Sequence, residues 1–304
     1  MSSTGAPRAL RAPHGDRAAA AILLAPDLLG FAVFLGVPIL LSLGLSLYRV
    51  DGFGHYAFIG LENYGRMLTD PLFGKSLLVT VVYVAGMVPG VFLASLGLAL
   101  LLRQKMPWVG VLRAAFFLPH VVSLVVIGLV WQFLLVDKTG VVNRLLAGIG
   151  IEGVSWLGDG RYALLTVLLV SIWFYMGYYM IIFISGLNDI PREYYDAAKV
   201  DGAGPITTFR AITWPLLKPT SFFVVVVSTV AAISGAQAFD LIYVMTNGGP
   251  ANATSLGMFY IYQQAFQFNN YGYAAALATI VVLTLVVLTG AMFLLTRGGR
   301  FDHE

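Results

Sequence analysis

Apolar residues in this chain run in long blocks separated by shorter polar intervals, without the alternation of a half-buried strand or the narrow stripe of a surface helix. A helix rising about 1.5 Å per residue needs about 20 apolar residues to cross about 30 Å of hydrocarbon. Six blocks are long enough: Asp27–Leu47, Ser76–Leu102, Ala114–Val136, Tyr162–Leu187, Ser221–Tyr243 and Tyr273–Thr296. Backbone in lipid must satisfy its own hydrogen bonds, so each block predicts a helix. The expected fold is an all-α integral membrane protein of about six transmembrane helices, with a two-helix polar loop between the fourth and fifth. One six-span domain is expected over 18–298, with a disordered tail over 1–17 and a short tail over 299–304. Pro26 suits the start of the first helix, with Asp27 beside its N-terminal dipole.

Composition agrees: 59% of residues are hydrophobic and 11% charged, where a soluble domain carries about 25% charged residues. Beyond Asp27 at the first block's edge, Asp240 is the one residue of Asp, Glu, Lys or Arg inside the blocks. Cysteine is absent and the four histidines show no metal-ligand spacing. With the N-terminus inside, twelve of the eighteen basic residues fall in inner segments: Arg8, Arg11, Arg17, Arg103, Lys105, Arg113, Arg192, Lys199, Arg210, Lys218, Arg297 and Arg300. The other six, Arg49, Arg66, Lys75, Lys138, Arg144 and Arg161, fall outside. That bias predicts a multi-pass cell-membrane protein with both termini and the loop over 188–220 in the cytoplasm.

Within that loop, Glu193–Pro219 reads EYYDAAKVDGAGPITTFRAITWPLLKP. Asn188 and Asp189 are good caps, Pro191 can open a helix, and Arg192–Val200 holds no breaker. Gly202 and Gly204 stop that helix, Pro205 opens a second, and Trp214-Pro215 is expected to turn the chain back to the membrane. Gly202 suits a left-handed corner that costs other residues about 1–2 kcal/mol. Ala197 and Ala198 leave the first helix thin enough to enter a partner's groove, and Asp196 is placed to pair with a basic residue there.

Asp196, Ala197, Ala198, Asp201, Gly202, Ala203, Phe209, Ile212, Pro215 and Pro219 stand at the spacing of the cytoplasmic "EAA" loop, and the chain resembles the permease subunits of ABC importers of the binding-protein-dependent carbohydrate uptake type. It departs from them in carrying Asp196 for Glu, Gly204-Pro205 after the Asp-Gly-Ala, and Trp214 before Pro215. Phe58–Tyr64 and Thr246–Pro250, followed by Tyr260, Tyr262, Phe266 and Phe268, are similar to stretches of the sugar permeases. The resemblance implies a prokaryotic inner-membrane subunit that pairs with a second permease and receives solute from an extracytoplasmic binding protein. Two ATP-binding cassette subunits are implied at the loop, contacting Tyr195, Asp196, Ala197, Ala198, Asp201, Gly202, Ala203, Phe209 and Pro215. ATP and Mg are implied on those subunits, with no cofactor, metal or nucleic acid on this chain and no catalytic residue. Gly74-Lys75-Ser76 is no phosphate loop, because Thr69 stands where its first glycine belongs.

Solute sites favour the bilayer midplane. About ten residues in from the ends of the fourth and fifth blocks lie Trp173, Gly177 and Tyr178, and Ser228, Ala232 and Gly235, a set that offers sugars aromatic faces and hydrogen bonds. Gln237 and Asp240 follow toward the outer interface, where Asp240 either closes an outer gate or is simply solvated. No Lys or Arg lies in the blocks to meet an anion, which favours a neutral sugar or polyol over a glycerol phosphate. A secondary transporter would place acids at the midplane, and an intramembrane enzyme would need a metal site or a nucleophile with its base; neither pattern is present.

Overall fold

The computed structural model describes residues 14–295 apart from 51, 53, 105 and 106, with side chains from residue 21 onward. Residues 1–13 of the tail expected over 1–17, the tail expected over 299–304, and Arg8, Arg11, Lys105, Arg297 and Arg300 lie outside the described residues, while 14–17 are helical. Four apolar blocks form continuous spanning helices: Ala21–Leu45, Pro71–Leu102, Ala163–Asn188 and Tyr271–Leu295 (spans 1, 2, 4 and 6). A hairpin pairing Tyr48–Val50 antiparallel with Tyr56–Phe58 caps the end of span 1. Span 1 departs from expectation at its start. Its helix begins at His14, with Pro26 inside it, because Ala18–Ala21 propagate helix upstream of the proline.

Spans 3 and 5 are broken, contrary to the single helices expected over Ala114–Val136 and Ser221–Tyr243. In span 3, Val109–Val121 and Leu124–Leu134 meet at 97°. Pro119 withdraws a backbone donor near the end of the first half, and Val122 and Ser123 then take extended conformations, with ψ of 147° and 132°. The first half packs on span 4 and the second on the short helix Phe239–Met245. In span 5 the helix ends at Ile233, Gly235 takes φ +77°, and Phe239–Met245 resumes separately.

The loop side of span 5 also differs from expectation. No turn occurs at Trp214-Pro215. The helix opened by Pro205 widens into a π-turn over Phe209–Thr213 and continues into Trp214–Ile233, giving 29 residues of one helix, about 44 Å long. The wider turn accommodates a proline that has no N–H to donate.

Spans 2 and 4 form the central pair, burying Tyr83, Met87, Val91, Met180, Phe183 and Leu187. Apart from Asp27 near its start, span 1 is apolar all round and exposed along its length until its end meets span 6, which suits a lipid-facing helix. Gly177 permits the closest helix approach: a Cβ there would lie 1.9 Å from the Phe116 carbonyl oxygen.

At the end away from the polar loop, Asp70 fastens spans 2 and 6. Its Oδ1 accepts the Leu72 and Phe73 N–H groups at 2.9 and 3.3 Å, capping span 2. Its Oδ2 accepts the hydroxyls of Tyr260 and Tyr273 at 2.6 and 2.7 Å. Partial burial pushes the carboxyl up, but the hydrogen bonds from Tyr260, Tyr273, Phe73 and Leu72 outweigh it and hold Asp70 below the usual carboxylate range.

Two outcomes follow. Asp70→Asn should cost about 1.5–3 kcal/mol in thermal unfolding. Because the folded pKa is lowered, the wild-type advantage should be complete above about pH 4 and fade as pH falls below it; an advantage constant down to pH 2 contradicts the assignment. Gly177→Ala should lower stability by about 1–3 kcal/mol, whereas Gly97→Ala, which meets nothing within 4 Å, should be tolerated; equal melting temperatures would remove Gly177 from the packing account.

Candidate functional site

Two features of the polar loop organise it. The helix Arg192–Val200 is closed by a Schellman motif: Gly202, at φ +71°, donates to the Lys199 carbonyl at 3.1 Å, and Ala203 donates to the Ala198 carbonyl at 2.8 Å. Nothing lies within 4 Å of a Cβ at Gly202, so the demand for glycine is conformational rather than steric. Pro191 is the residue before the helix and Asn188 ends span 4, so neither Asn188 nor Asp189 caps the loop helix as expected. Tyr195 anchors the helix from within. Its hydroxyl accepts from Arg103 at 2.9 Å and lies 3.2 Å from Thr213 Oγ1, and the Arg103 guanidinium sits 4.4 Å above its ring.

The predicted loop residues divide between two faces. Ala198 is buried in its own chain, so it packs the helix down instead of thinning a partner-facing side. Asp196, Ala197, Asp201 and Gly202 are exposed, while Ala203, Phe209 and Pro215 are half-buried. Asp196 pairs with Lys199 at 2.9 Å, one turn along; both are well exposed, and such a pair contributes about 0–1 kcal/mol. Sequence reasoning passed over Val200 and Ile206, which flank the glycine corner at 88% and 70% exposure.

The break in span 5 forms a second site. Gly235 ends the helix against Met258, whose Cβ lies 2.7 Å from where a Gly235 Cβ would stand. The carbonyls freed beyond it are taken up by neighbouring spans: Tyr175 donates to Ala236 at 3.1 Å and Tyr83 to Gln237 at 3.4 Å. The Gln237 amide donates to the Tyr179 hydroxyl at 2.9 Å, leaving its Oε1 buried without a partner. His120, at the end of the first half of span 3, is ringed by Tyr178, Phe174 and Tyr175 at 4.7, 5.3 and 5.4 Å, and its Nδ1 is also buried and unpaired.

Of the predicted path residues, Tyr178, Gly235, Gln237 and Asp240 gather around this break. Gly177 is sealed against Phe116 and presents nothing to a solute, Trp173 packs edge-on to Trp131 at 5.6 Å, and Ser228 and Ala232 are closed inside the core. Asp240 makes no hydrogen bond to a described residue and lines a cleft of about 340 Å³ with Phe239, Tyr262 and Phe266. Tyr83, Tyr175, Tyr179 and His120 were not singled out from the sequence. Pro119 beside His120 was the available signal.

The chain from 73 to 298 matches the family model described as the binding-protein-dependent transport system inner membrane component. The lactose transport system permease protein LacF of Rhizobium radiobacter is 36% identical over 282 residues, 91% of this chain and 93% of that protein. The sulfoquinovosyl glycerol transport system permease protein SmoG of Agrobacterium fabrum is 34% identical over 282 residues, 92% and 90% of the two chains. The fold is shared with a bacterial alginate ABC transporter solved in complex with an alginate pentasaccharide-bound periplasmic protein, at a TM-score of 0.82 and 22% identity, covering 93% of this chain and 95% of that one. With its helical spans and loop architecture, this chain belongs to the inner membrane components of binding-protein-dependent transport systems and is a permease subunit of an ABC importer.

Proposed function

We propose that this permease carries a sugar or sugar-like solute, and that the loop over 188–220 is the handle by which two ATP-binding cassette subunits drive it. The reading rests chiefly on one observation: the second loop helix and span 5 are a single rod from Pro205 to Ile233 that ends at the glycine break. A force applied at the exposed corner formed by Asp196, Val200, Gly202 and Ile206 is carried along a hydrogen-bonded helix to the break at Gly235. Tyr195 keeps the first loop helix seated, through Thr213, on the π-turn in the rod. In this reading, hydrolysis of ATP with Mg occurs wholly on the partner subunits. This chain supplies the lever, and a second permease supplies the facing half of the path. The twofold excess of Lys and Arg on the loop side supports a cytoplasmic loop and cytoplasmic termini.

For the cargo, the relative that transports lactose and the chemistry of the break point the same way. Tyr178, Tyr262 and Phe266 offer ring faces for the C–H surface of a pyranose. The free Oε1 of Gln237 and the Asp240 carboxylate accept hydrogen bonds from hydroxyls. The six apolar blocks hold no Lys or Arg to balance an anionic solute, and Asp240 opposes one.

Gly202→Val should leave the complex assembled in the membrane and cut uptake per ATP hydrolysed about 5- to 30-fold, the factor that a 1–2 kcal/mol bias imposes on a two-state equilibrium. Proteoliposomes holding the whole importer measure both quantities; uptake per ATP at the wild-type level would refute the lever.

A further inference from the structure

On the side of the membrane that carries the loop, the chain gathers positive charge it does not neutralise. Arg103 at the end of span 2, Arg113 in the first half of span 3 and Arg192 at the start of the loop helix line one cavity of about 470 Å³, and among the described residues no Asp or Glu lines it. Arg103 and Arg113 are half-buried and are held by neutral acceptors. Arg103 donates to the Tyr195 hydroxyl at 2.9 Å, and Arg113 donates to the Leu102 carbonyl at 3.2 Å from Nε and 2.6 Å from Nη2. Among the described residues Arg192 makes no hydrogen bond or ion pair, and the ion pairs Arg49–Glu62 and Lys199–Asp196 lie elsewhere.

A guanidinium that has lost part of its water is stabilised by an anion, and convergent guanidinium groups match the oxygens of a phosphate. The rest of the wall specifies where that phosphate comes from. Val109 is half-buried and gives the same cavity an apolar wall, backed by the buried Leu187 and Ile190, which a small soluble anion does not need. Trp108, directly before Val109, is 78% exposed in a left-handed conformation, the placement of an indole lying at headgroup depth. We propose that this cavity binds the headgroup of an anionic phospholipid from the loop-side leaflet. Its phosphate sits among Arg103, Arg113 and Arg192, and its glycerol and first methylenes lie against Val109 and beside the exposed Trp108. Binding does not depend on the transport reading; a consequence for coupling, through the Arg103–Tyr195 contact, does.

The test is native mass spectrometry of the purified importer, and separately of this permease with its partner permease, incubated with equimolar phosphatidylglycerol and phosphatidylcholine. Both preparations should retain phosphatidylglycerol preferentially. Arg192→Gln should reduce that retention about tenfold, the loss of one charge-assisted contact, with an unchanged melting temperature because the side chain is exposed. Equal retention of the two lipids, or undiminished retention by Arg192→Gln, overturns the proposal. Displacement of the lipid by millimolar inorganic phosphate would make this a free-anion site and overturn the lipid assignment. Retention by the permease pair that vanishes when the ATPase subunits assemble would give the cavity to a protein carboxylate and overturn it equally.

Discussion

Hydrocarbon offers no water to a backbone carbonyl, so a helix can be interrupted within the membrane only where neighbouring protein takes up the groups set free. Here the neighbours are tyrosines. Tyr175 of span 4 and Tyr83 of span 2 donate to the carbonyls of Ala236 and Gln237, and the Gln237 side chain returns a hydrogen bond to Tyr179. That exchange holds a sharp corner in span 5 at Gly235, and the corner divides the span into a rod on the loop side and a short helix, Phe239–Met245, on the far side. The broken span 3 follows the same division, its first half lying on span 4 and its second on that short helix.

The two sites answer different needs. At the loop, rigidity is built from backbone conformation and hydrogen bonds: a Schellman corner at Gly202, a π-turn that carries the helix past Pro215, and Tyr195 clamped between Arg103 and Thr213. At the break, polar groups are left over. Gln237 Oε1 and His120 Nδ1 are buried without partners, and orphaned groups in a membrane core mark a place where something else is bound or moves. In the proposed reading the loop is a stiff handle and the break an unsatisfied hinge, an arrangement suited to a machine driven from one side.

Much of this was legible in the sequence, for reasons that also set the limit. Spans 2, 4 and 6 were readable because about 20 apolar residues leave the chain no alternative to a helix, and Gly202 because a corner needs a residue free to adopt positive φ. The breaks were not readable. An apolar block has the same composition whether straight or bent, and Pro119 and Gly235 act as breakers only because Tyr83, Tyr175 and the packed helices around them receive the freed backbone. The continuity at Pro215 was missed for the converse reason: proline reads as a stop unless the preceding turn widens. Gly177 was placed on the path by its depth along the span and Ala198 on a partner-facing side by its size and spacing, and neither shows which way a helix face turns; Gly177 meets Phe116 and Ala198 is buried in its own chain.

The central claim is that the helix from Pro205 to Ile233 moves as one piece when the ATPase subunits act. Spin labels at the exposed positions Ile206 and Phe223 on the rod, and at Ile181 on span 4, allow that to be measured by pulsed electron paramagnetic resonance in the reconstituted importer. Between the nucleotide-free and ATP-bound states, the Ile206–Phe223 distance should stay constant while the Phe223–Ile181 distance changes. A change in the first distance, or none in the second, would contradict the account.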